Sequence, residues 1–386
     1  LQRGESQTPH YVLVGGGLQN GLLLLAISSQ QPAARVTLIE RDATLGGNHT
    51  WSFHLADLPA GNAAWVSPLC EHVWPGYEVA FPNLGRVVDG GYASFSSDHL
   101  HREVMRVVAG NPNISVRLGE TVRAVDARHV TLASGEVAEG DVVIDARGPG
   151  AYPLRAVRAG YQKFVGLEVR LQRPVDRSIP MLMDANVPQT DGFRFFYVLP
   201  YAPDRVLIED TYFSDSPLLD QEGLREEVLA YAARNGYEIA EVLRTEHGVL
   251  PLPCGPSPAR AGAGALVAGY GGGWFHPATG YSFPVAARLA QHVAETPVGT
   301  LAAHWAAWDR AQRRQFRYTA FLNWMLFTAF PPERRRNVFE RFYRLPDSTI
   351  DHFYSHQLTG YDMARILIGR PPRGFSVRMA LSGGTA

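Results

Sequence analysis

Residues 11–40 constrain the fold more than any other stretch of this sequence. Tyr11-Val12-Leu13-Val14 is a short apolar run, Gly15-Gly16-Gly17 a glycine turn, Leu18 to Ser29 a leucine-rich stretch of helical length, and Val36 to Ile39 a second apolar run ending on Glu40. The pattern predicts strand, turn, helix, strand. Gly15 permits a tight turn, and Gly17 lets the backbone approach a pyrophosphate whose charge then rests at the helix N-terminus. Glu40 lies about 25 residues past Gly15 and is placed to accept hydrogen bonds from a ribose.

The third glycine of the usual fingerprint is replaced by Asn20, with Gly21 beside it, so this unit alone would fit any dinucleotide or an empty turn. The continuation is more specific. After Glu40 the chain runs Arg41-Asp42-Ala43-Thr44-Leu45-Gly46-Gly47-Asn48-His49-Thr50. This double glycine resembles that of the FAD proteins of the glutathione-reductase type, where it continues the cofactor-binding loop. The resemblance implies FAD held by Gly15, Gly17, Asn20, Glu40, Gly46, Gly47 and Asn48.

A chain of 386 residues with 46% hydrophobic content can bury a large core, and its length suits two or three domains. Acidic and basic residues nearly cancel, 37 against 36, so no global field draws it to nucleic acid. Cys70 and Cys254 stand apart, with no C-x-x-C and no histidine cluster at ligand spacing, which argues against a metal site or a disulfide framework and fits a reducing cytoplasm. Leu1 to His10 is polar and lacks the apolar core of a secretory signal. Leu22–Ile27 and Phe321–Phe330 are too short to cross a bilayer.

Four segments follow. Residues 1–150 are expected to form the first part of the nucleotide-binding domain, closing with the strand Val142 to Asp145 and with Gly148 bordering the cofactor. Within them, His49 to His54 reads as a loop near the cofactor, where His49 and His54 either relay protons or satisfy loop carbonyls. Trp65, Trp74 and Tyr77 read as core, and Ser97 to Val108 as a helix. Residues 151–250 read as an antiparallel substrate domain: Arg194 to Pro200, a turn at Ala202-Pro203-Asp204, and Arg205 to Phe213 form a hairpin. On its second strand Leu207, Glu209 and Thr211 share one face and Val206, Ile208, Asp210 and Tyr212 the other, so the two carboxylates point opposite ways and are not a shared-proton pair. A helix is expected over Pro217 to Asn235.

Residues 251–300 return to the nucleotide site through a strand ending on Gly269, with Tyr270 where FAD proteins usually carry Asp, and through Gly280-Tyr281 before a helix. No second βαβ unit with a ribose carboxylate follows, so no NADPH domain is expected. Residues 301–386 are helical, aromatic and arginine-rich. Arg313, Arg314 and Arg317 precede Tyr318, Phe321 and Trp324, and Arg334 to Arg336 precede Phe339, Phe342 and Tyr343. Such helices either lie in a membrane interface or pack on the catalytic domain.

Three stretches together, Gly46 to His54, Leu207-Ile208-Glu209-Asp210-Thr211 and His276-Pro277-Ala278-Thr279-Gly280-Tyr281-Ser282, resemble the bacterial lycopene β-cyclases of carotenoid biosynthesis, as do the arginine-aromatic C-terminal helices and the Arg370-Pro371-Pro372 tail. The related plant cyclases read F-L-E-E-T in the middle stretch, so Leu207 and Asp210 are departures here. The resemblance implies an α/β fold with a Rossmann-like FAD-binding domain of the glutathione-reductase type, an antiparallel β-sheet substrate domain and a C-terminal helical region. It implies a non-redox cyclisation of both acyclic ends of lycopene to β-ionone rings, giving β-carotene through γ-carotene. FAD is then active in its reduced form, with an external reductant and NAD(P)H as indirect electron source. The protein would sit peripherally on the inner face of the cell membrane.

This chemistry needs an acid that stays neutral until it meets an alkene, a state that apolar burial favours for a carboxyl. Glu209 is the candidate acid, with Asp210 and Glu168 as further acid or base candidates. His49, Trp51, Phe195, Tyr197 and His276 are assigned to the substrate. A flavin-dependent isoprenoid reductase or hydroxylase on the same scaffold, or a carotenoid carrier without turnover, remains as an alternative.

Overall fold

A computed structural model describes residues 8–58, 63–148, 158–255, 264–369 and 372–376; the polar segment ahead of them and the Arg370-Pro371 pair lie outside. The chain opens with β1 (His10–Val14), α1 (Leu18–Gln30) and β2 (Arg35–Ile39), the expected order. It then leaves this sheet. Strands β3 (Thr50–His54), β4 (His72–Phe81) and β5 (Leu84–Ser96) belong to a second sheet, and α2 (Ser97–Gly110) and β6 (Ile114–Arg117) bring the chain back. Residues 1–150 thus contribute to both sheets.

Next come β7 (Val122–Val125), β8 (His129–Leu132) and β9 (Val137–Glu139), a small antiparallel sheet, and β10 (Val142–Asp145), which pairs parallel with β1. The middle of the chain supplies β11 (Ala159–Leu171), β12 (Met181–Asp184), β13 (Phe193–Ala202), β14 (Arg205–Ser214), α3 (Gln221–Arg234) and β15 (Ile239–Pro253). α3 starts later than expected because Asp220 caps it, accepting a 3.0 Å hydrogen bond from the Gly223 N–H. The short β16 (Leu266–Val267) completes a parallel sheet of order β16-β10-β1-β2-β6, and α4 (Phe283–Glu295) follows. The remainder is helical: α5 (Val298–Ala329), α6 (Arg336–Phe342), α7 (Asp347–Tyr354) and α8 (Gly360–Leu367).

Leucines on every side of α1 demand cover all round. The parallel sheet provides it on one side and α4 on the other, leaving Leu22, Leu23, Leu24, Ala26 and Ile27 wholly buried. The second sheet has the order β15-β11-β14-β13-β12-β4-β5-β3. One face of β13 and β14 packs on α3 through Phe196, Val206, Ile208, Val228 and Tyr231; the other carries Phe193, Phe195, Leu207 and Phe213. α5 docks on this sheet where Phe327 lies over Gly160 of β11, a position at which a side chain would overlap the ring.

Candidate active site

A cleft of ≈ 680 Å³ opens at the carboxyl ends of β1 and β10, where neighbouring strands of the parallel sheet diverge. Gly15 has φ +94°, and a Cβ there would meet the Ala146 carbonyl after β10, so only glycine passes. Gly17 caps α1 with no side chain, the first turn of α1 holds no acidic residue, and a Cβ at Gly17 would stand in open space. The free N–H groups of α1 therefore meet a volume that suits a phosphate. The Glu40 carboxylate accepts hydrogen bonds from the Gly16 N–H and, at 2.9 Å, from the Asp42 N–H. Gly46 and Gly47 adopt φ +87° and +68°, and the Gly46 N–H donates to the Gly16 carbonyl at 2.9 Å, which ties the double-glycine loop to the first turn. Gly148 and Gly269 line the opposite wall with Arg147, whose guanidinium grips Asp145 at 2.7 Å. These features fit a dinucleotide.

Other expected cofactor residues stand behind the walls. Asn20 is buried and donates from Nδ2 to the carbonyls of Val14 and Gly15 at 2.9 and 2.8 Å, bracing the turn where a third glycine would otherwise pack. Asn48 bonds to the second sheet, donating to the Thr245 carbonyl and accepting from Arg244 at 2.9 and 3.1 Å. Gly280 packs against Leu250, and the Tyr281 hydroxyl donates to Asp57 at 2.7 Å, so neither lies on the cleft surface. Tyr270 does line the cleft, and its hydroxyl donates to the Pro251 carbonyl at 3.2 Å.

Beyond the double glycine, His49 and Trp51 line the inner end of the cleft. Burial holds the His49 imidazole below its ordinary value, against the opposing pull of Glu246. Thr50, between them, donates to Glu246 at 2.9 Å. Thr50 to His54, expected as a loop, forms β3, and the start of this strand joins the cleft to a row of carboxylates on the second sheet. Glu209 of β14 is 9% exposed and flanked by Gly166 of β11, with Tyr197 opposite it on β13. Its Oε1 accepts from the Thr211 hydroxyl at 2.7 Å. Burial and then the charge of Glu246 push the Glu209 carboxyl well above the usual carboxylate range, which favours its protonated form.

Asp210 points to the opposite face, as its neighbours in sequence require. Arg194 donates to it through two nitrogens at 2.9 and 2.7 Å and also reaches Glu227 of α3. Burial raises the Asp210 carboxyl to about 6 against the pull of this guanidinium. Glu168 is 4% exposed and ion-paired with Arg205 and Arg244. Phe195 is wholly buried, and its ring meets that of Tyr197 edge-on with centroids 4.9 Å apart, on the Glu209 face of the sheet. His276 is buried against Phe353 and His356, away from the cleft, and burial lowers it to about 3. His54 sits among Tyr77, Tyr92 and Tyr354, with Nδ1 3.4 Å from Asp57. Glu246 and Arg244 were not singled out from sequence. The signal was available: Arg244 and Glu246 stand two residues apart and so share one face of β15, a spacing at which an arginine and a carboxylate can pair.

The C-terminal aromatics divide. Phe339 stacks on Phe193 at 4.0 Å, Tyr343 is wholly buried, and buried Arg335 pairs with Asp215 at 2.8 Å, so this second arginine-aromatic cluster packs inward. On α5, Arg310, Arg314, Arg317 and Phe321 are exposed. Among the described residues no helix is long and apolar enough to cross a membrane.

A dinucleotide-type cleft on a parallel sheet, joined to a large, mostly antiparallel sheet in which β12 and β4 pair parallel and Glu209 is a buried carboxyl, defines an α/β protein of the nucleotide-binding type. The fold is shared with a geranylgeranyl bacteriochlorophyll reductase-like protein from Thermoplasma acidophilum (TM-score 0.61, 12% identity, covering 97% of this chain and 95% of that one). It is also shared with PqsL of Pseudomonas aeruginosa, described as a probable FAD-dependent monooxygenase (TM-score 0.62, 16% identity, 88% and 100%). The chain belongs to the lycopene cyclase family, which it matches over residues 11–380 as "Lycopene cyclase protein". It is 41% identical over 367 residues to the lycopene beta-cyclase of Pseudescherichia vulneris, covering 94% of each chain. To that of Pantoea ananas it is 40% identical over 371 residues, covering 94% of this chain and 96% of the relative.

Proposed function

We propose that this protein is a lycopene β-cyclase, which closes the acyclic ends of lycopene to β-ionone rings and yields β-carotene through γ-carotene. The family and its bacterial relatives support the substrate. One observation carries the mechanism: Glu209 is a buried carboxyl whose surroundings favour its protonated form, beside aromatic rings and linked to the cleft through Glu246 and Thr50.

Glu209 protonates the terminal alkene. The Thr211 hydroxyl, 2.7 Å from its Oε1, stabilises the carboxylate that results. Phe195 and Tyr197 turn ring faces and edges toward the same side of the sheet and favour the cation that ring closure leaves on carbon. Their packing excludes water, which would trap that cation as an alcohol. His49 and Trp51 lie where cleft and substrate side meet. Asp210, tied to Arg194 on the far face, holds the sheet to α3, and Glu168 neutralises two arginines. FAD, held by Gly15, Gly17, Glu40, Gly46, Gly47 and Gly148, would supply in its reduced form the negative charge that offsets the cation, with electrons from an external reductant and NAD(P)H as their source. Arg310, Arg314 and Arg317 beside exposed Phe321 support peripheral binding to the inner face of the cell membrane, where the substrate dissolves.

The test is anaerobic incubation of the protein with lycopene in liposomes, in heavy water, with no flavin, oxidised FAD or reduced FAD. Cyclisation requires a product isomeric with lycopene apart from about one solvent deuterium per ring, formed only with reduced FAD. A product heavier by two hydrogens or one oxygen, with flavin consumed, rejects the cyclase in favour of a redox enzyme. Binding without conversion rejects it in favour of a carrier.

A further inference from the structure

The carboxyl of Glu209 has a neighbour that the reaction so far leaves unused. β11 runs between β14 and β15, and its Gly166 is the Cα partner of Glu209 on one side and of Glu246 on the other. With no side chain at 166, the two carboxyl-bearing side chains face each other across the strand. A methyl there would lie 3.1 Å from Glu246 Cγ and 3.4 Å from Glu209 Oε2. Two buried carboxylates brought this close repel each other, which favours a proton on one of them.

Their remaining contacts decide which. Glu246 is 3% exposed, and its Oε2 accepts from Thr50 at 2.9 Å and from Arg244 at 2.7 Å, the surroundings of a charged carboxylate. Arg244 is itself fixed by Glu168 and Asn48, both at 3.1 Å. Among the described residues Glu209 has the Thr211 hydroxyl as its hydrogen-bond donor and no ion-pair partner. The proton therefore belongs to Glu209.

We propose that Glu246 is the positioning residue for the catalytic acid: its carboxylate, clamped by Arg244 and Thr50, holds the proton on Glu209 across Gly166 and aims the protonated oxygen. This rests on Glu209 being the acid. In each ring closure Glu209 gives its proton to the terminal alkene carbon, the ring C–C bond forms, and the C–H bond beside the cation breaks. The released proton returns to the pair, which ends with the one proton it began with.

The groups facing Glu209 are Tyr92 on β5, Tyr197 on β13, Asp210 beside it on β14, Glu168 on β11, and Glu246 with Arg244 on β15; His49 faces Glu246. Burial raises both phenols, which stay neutral in the working range. Asp210 lies on the other face with Arg194 as its partner. Among the described residues Glu246 is thus the charged group that faces Glu209 directly across Gly166.

Glu246→Gln tests this. The basic limb of the pH–rate profile, where the acid loses its proton, should move to lower pH by about one unit, with roughly a 10-fold lower rate above the new limb. Glu246→Asp, which keeps the charge, should restore part of the limb. Gly166→Ala leaves both carboxyls in the chain but wedges them apart, and should shift the limb in the same direction. Infrared difference spectra of the flavin-free protein supply a readout without turnover: a protonated-carboxyl band at pH 7 that Glu209→Gln abolishes and Glu246→Gln weakens. A reduced rate with an unmoved limb and an unchanged band in Glu246→Gln overturns the proposal. If Glu246→Gln fails to fold, Gly166→Ala and Glu246→Asp decide by the same criteria. A Glu209→Gln variant as active as wild type would instead remove the acid assignment itself, whatever Glu246 does.

Discussion

A methyl group added at Gly160 would overlap three carbons of the Phe327 ring, the contact through which α5 docks on the second sheet. Phe327 is 4% exposed and belongs to the aromatic core, and its neighbour Arg335 sits over its ring at 4.7 Å, so the ring has little room to retreat. Overpacking of this kind costs about 1–3 kcal/mol. Replacing glycine within a strand returns about 0.5–1 kcal/mol of backbone entropy. Gly160→Ala should therefore destabilise by about 1–2 kcal/mol. Phe327→Ala opens a cavity instead and should cost about 3–5 kcal/mol. In the double variant the methyl enters that cavity, so its cost should fall below the sum of the two by about 1–3 kcal/mol. Urea unfolding followed by near-ultraviolet circular dichroism measures all three. Additivity within about 0.5 kcal/mol would refute the reasoning, because it would mean that ring and glycine do not touch.

Glu209→Gln keeps the shape of the side chain and an oxygen for the Thr211 hydroxyl to donate to, so it should lower cyclisation by about 10²–10⁴-fold, read as β-carotene formed, with a melting temperature near that of wild type. Gly46→Ala should weaken flavin binding in a fluorescence titration, because φ +87° and the Ser97 side chain both oppose a Cβ there. Asp210 has a folded-state value of about 6, above its ordinary 3.8, so the folded protein binds that proton more tightly than the unfolded chain does. Stability from this group is then full below the lower value and lost as pH rises to the upper one. In Asp210→Asn this part of the slope should vanish from the pH dependence of the unfolding free energy. Replacing Arg310, Arg314 and Arg317 by Glu should abolish co-sedimentation with vesicles containing anionic lipid while activity on detergent-dispersed lycopene persists.

The nucleotide-binding unit was legible because its signals are local. A glycine turn between an apolar strand and an apolar helix needs no distant partner to be recognised, and β1, α1 and β2 appear where those residues predict them. The hairpin of β13 and β14 was legible for the same reason, and period-two alternation correctly set Glu209 and Asp210 on opposite faces. Asn20 was visible as a departure from the glycine pattern, whereas its bracing of the Val14 and Gly15 carbonyls depends on how the turn closes. The double-glycine loop likewise announced itself, and its attachment to Gly16 did not.

Assignments that failed to reach the cleft involved residues whose surroundings come from far along the chain. Tyr281 meets Asp57, and His276 meets Phe353 and His356, so neither neighbourhood follows from the residues on either side. Interleaving of the two sheets was hidden too, because β3, β4 and β5 pair in the second sheet although they lie between strands of the first. The sequence by itself determined the strand-turn-helix unit and the alternation on β14 that turns Glu209 and Asp210 to opposite faces, since each depends on backbone period and near neighbours. Only the tertiary structure decided that Gly166 would stand between Glu209 and Glu246 and that Arg244 would hold the second carboxyl. A carboxyl's proton is governed by what surrounds it in space, and here those groups come from strands far apart in the chain, with 196 residues separating Thr50 from Glu246.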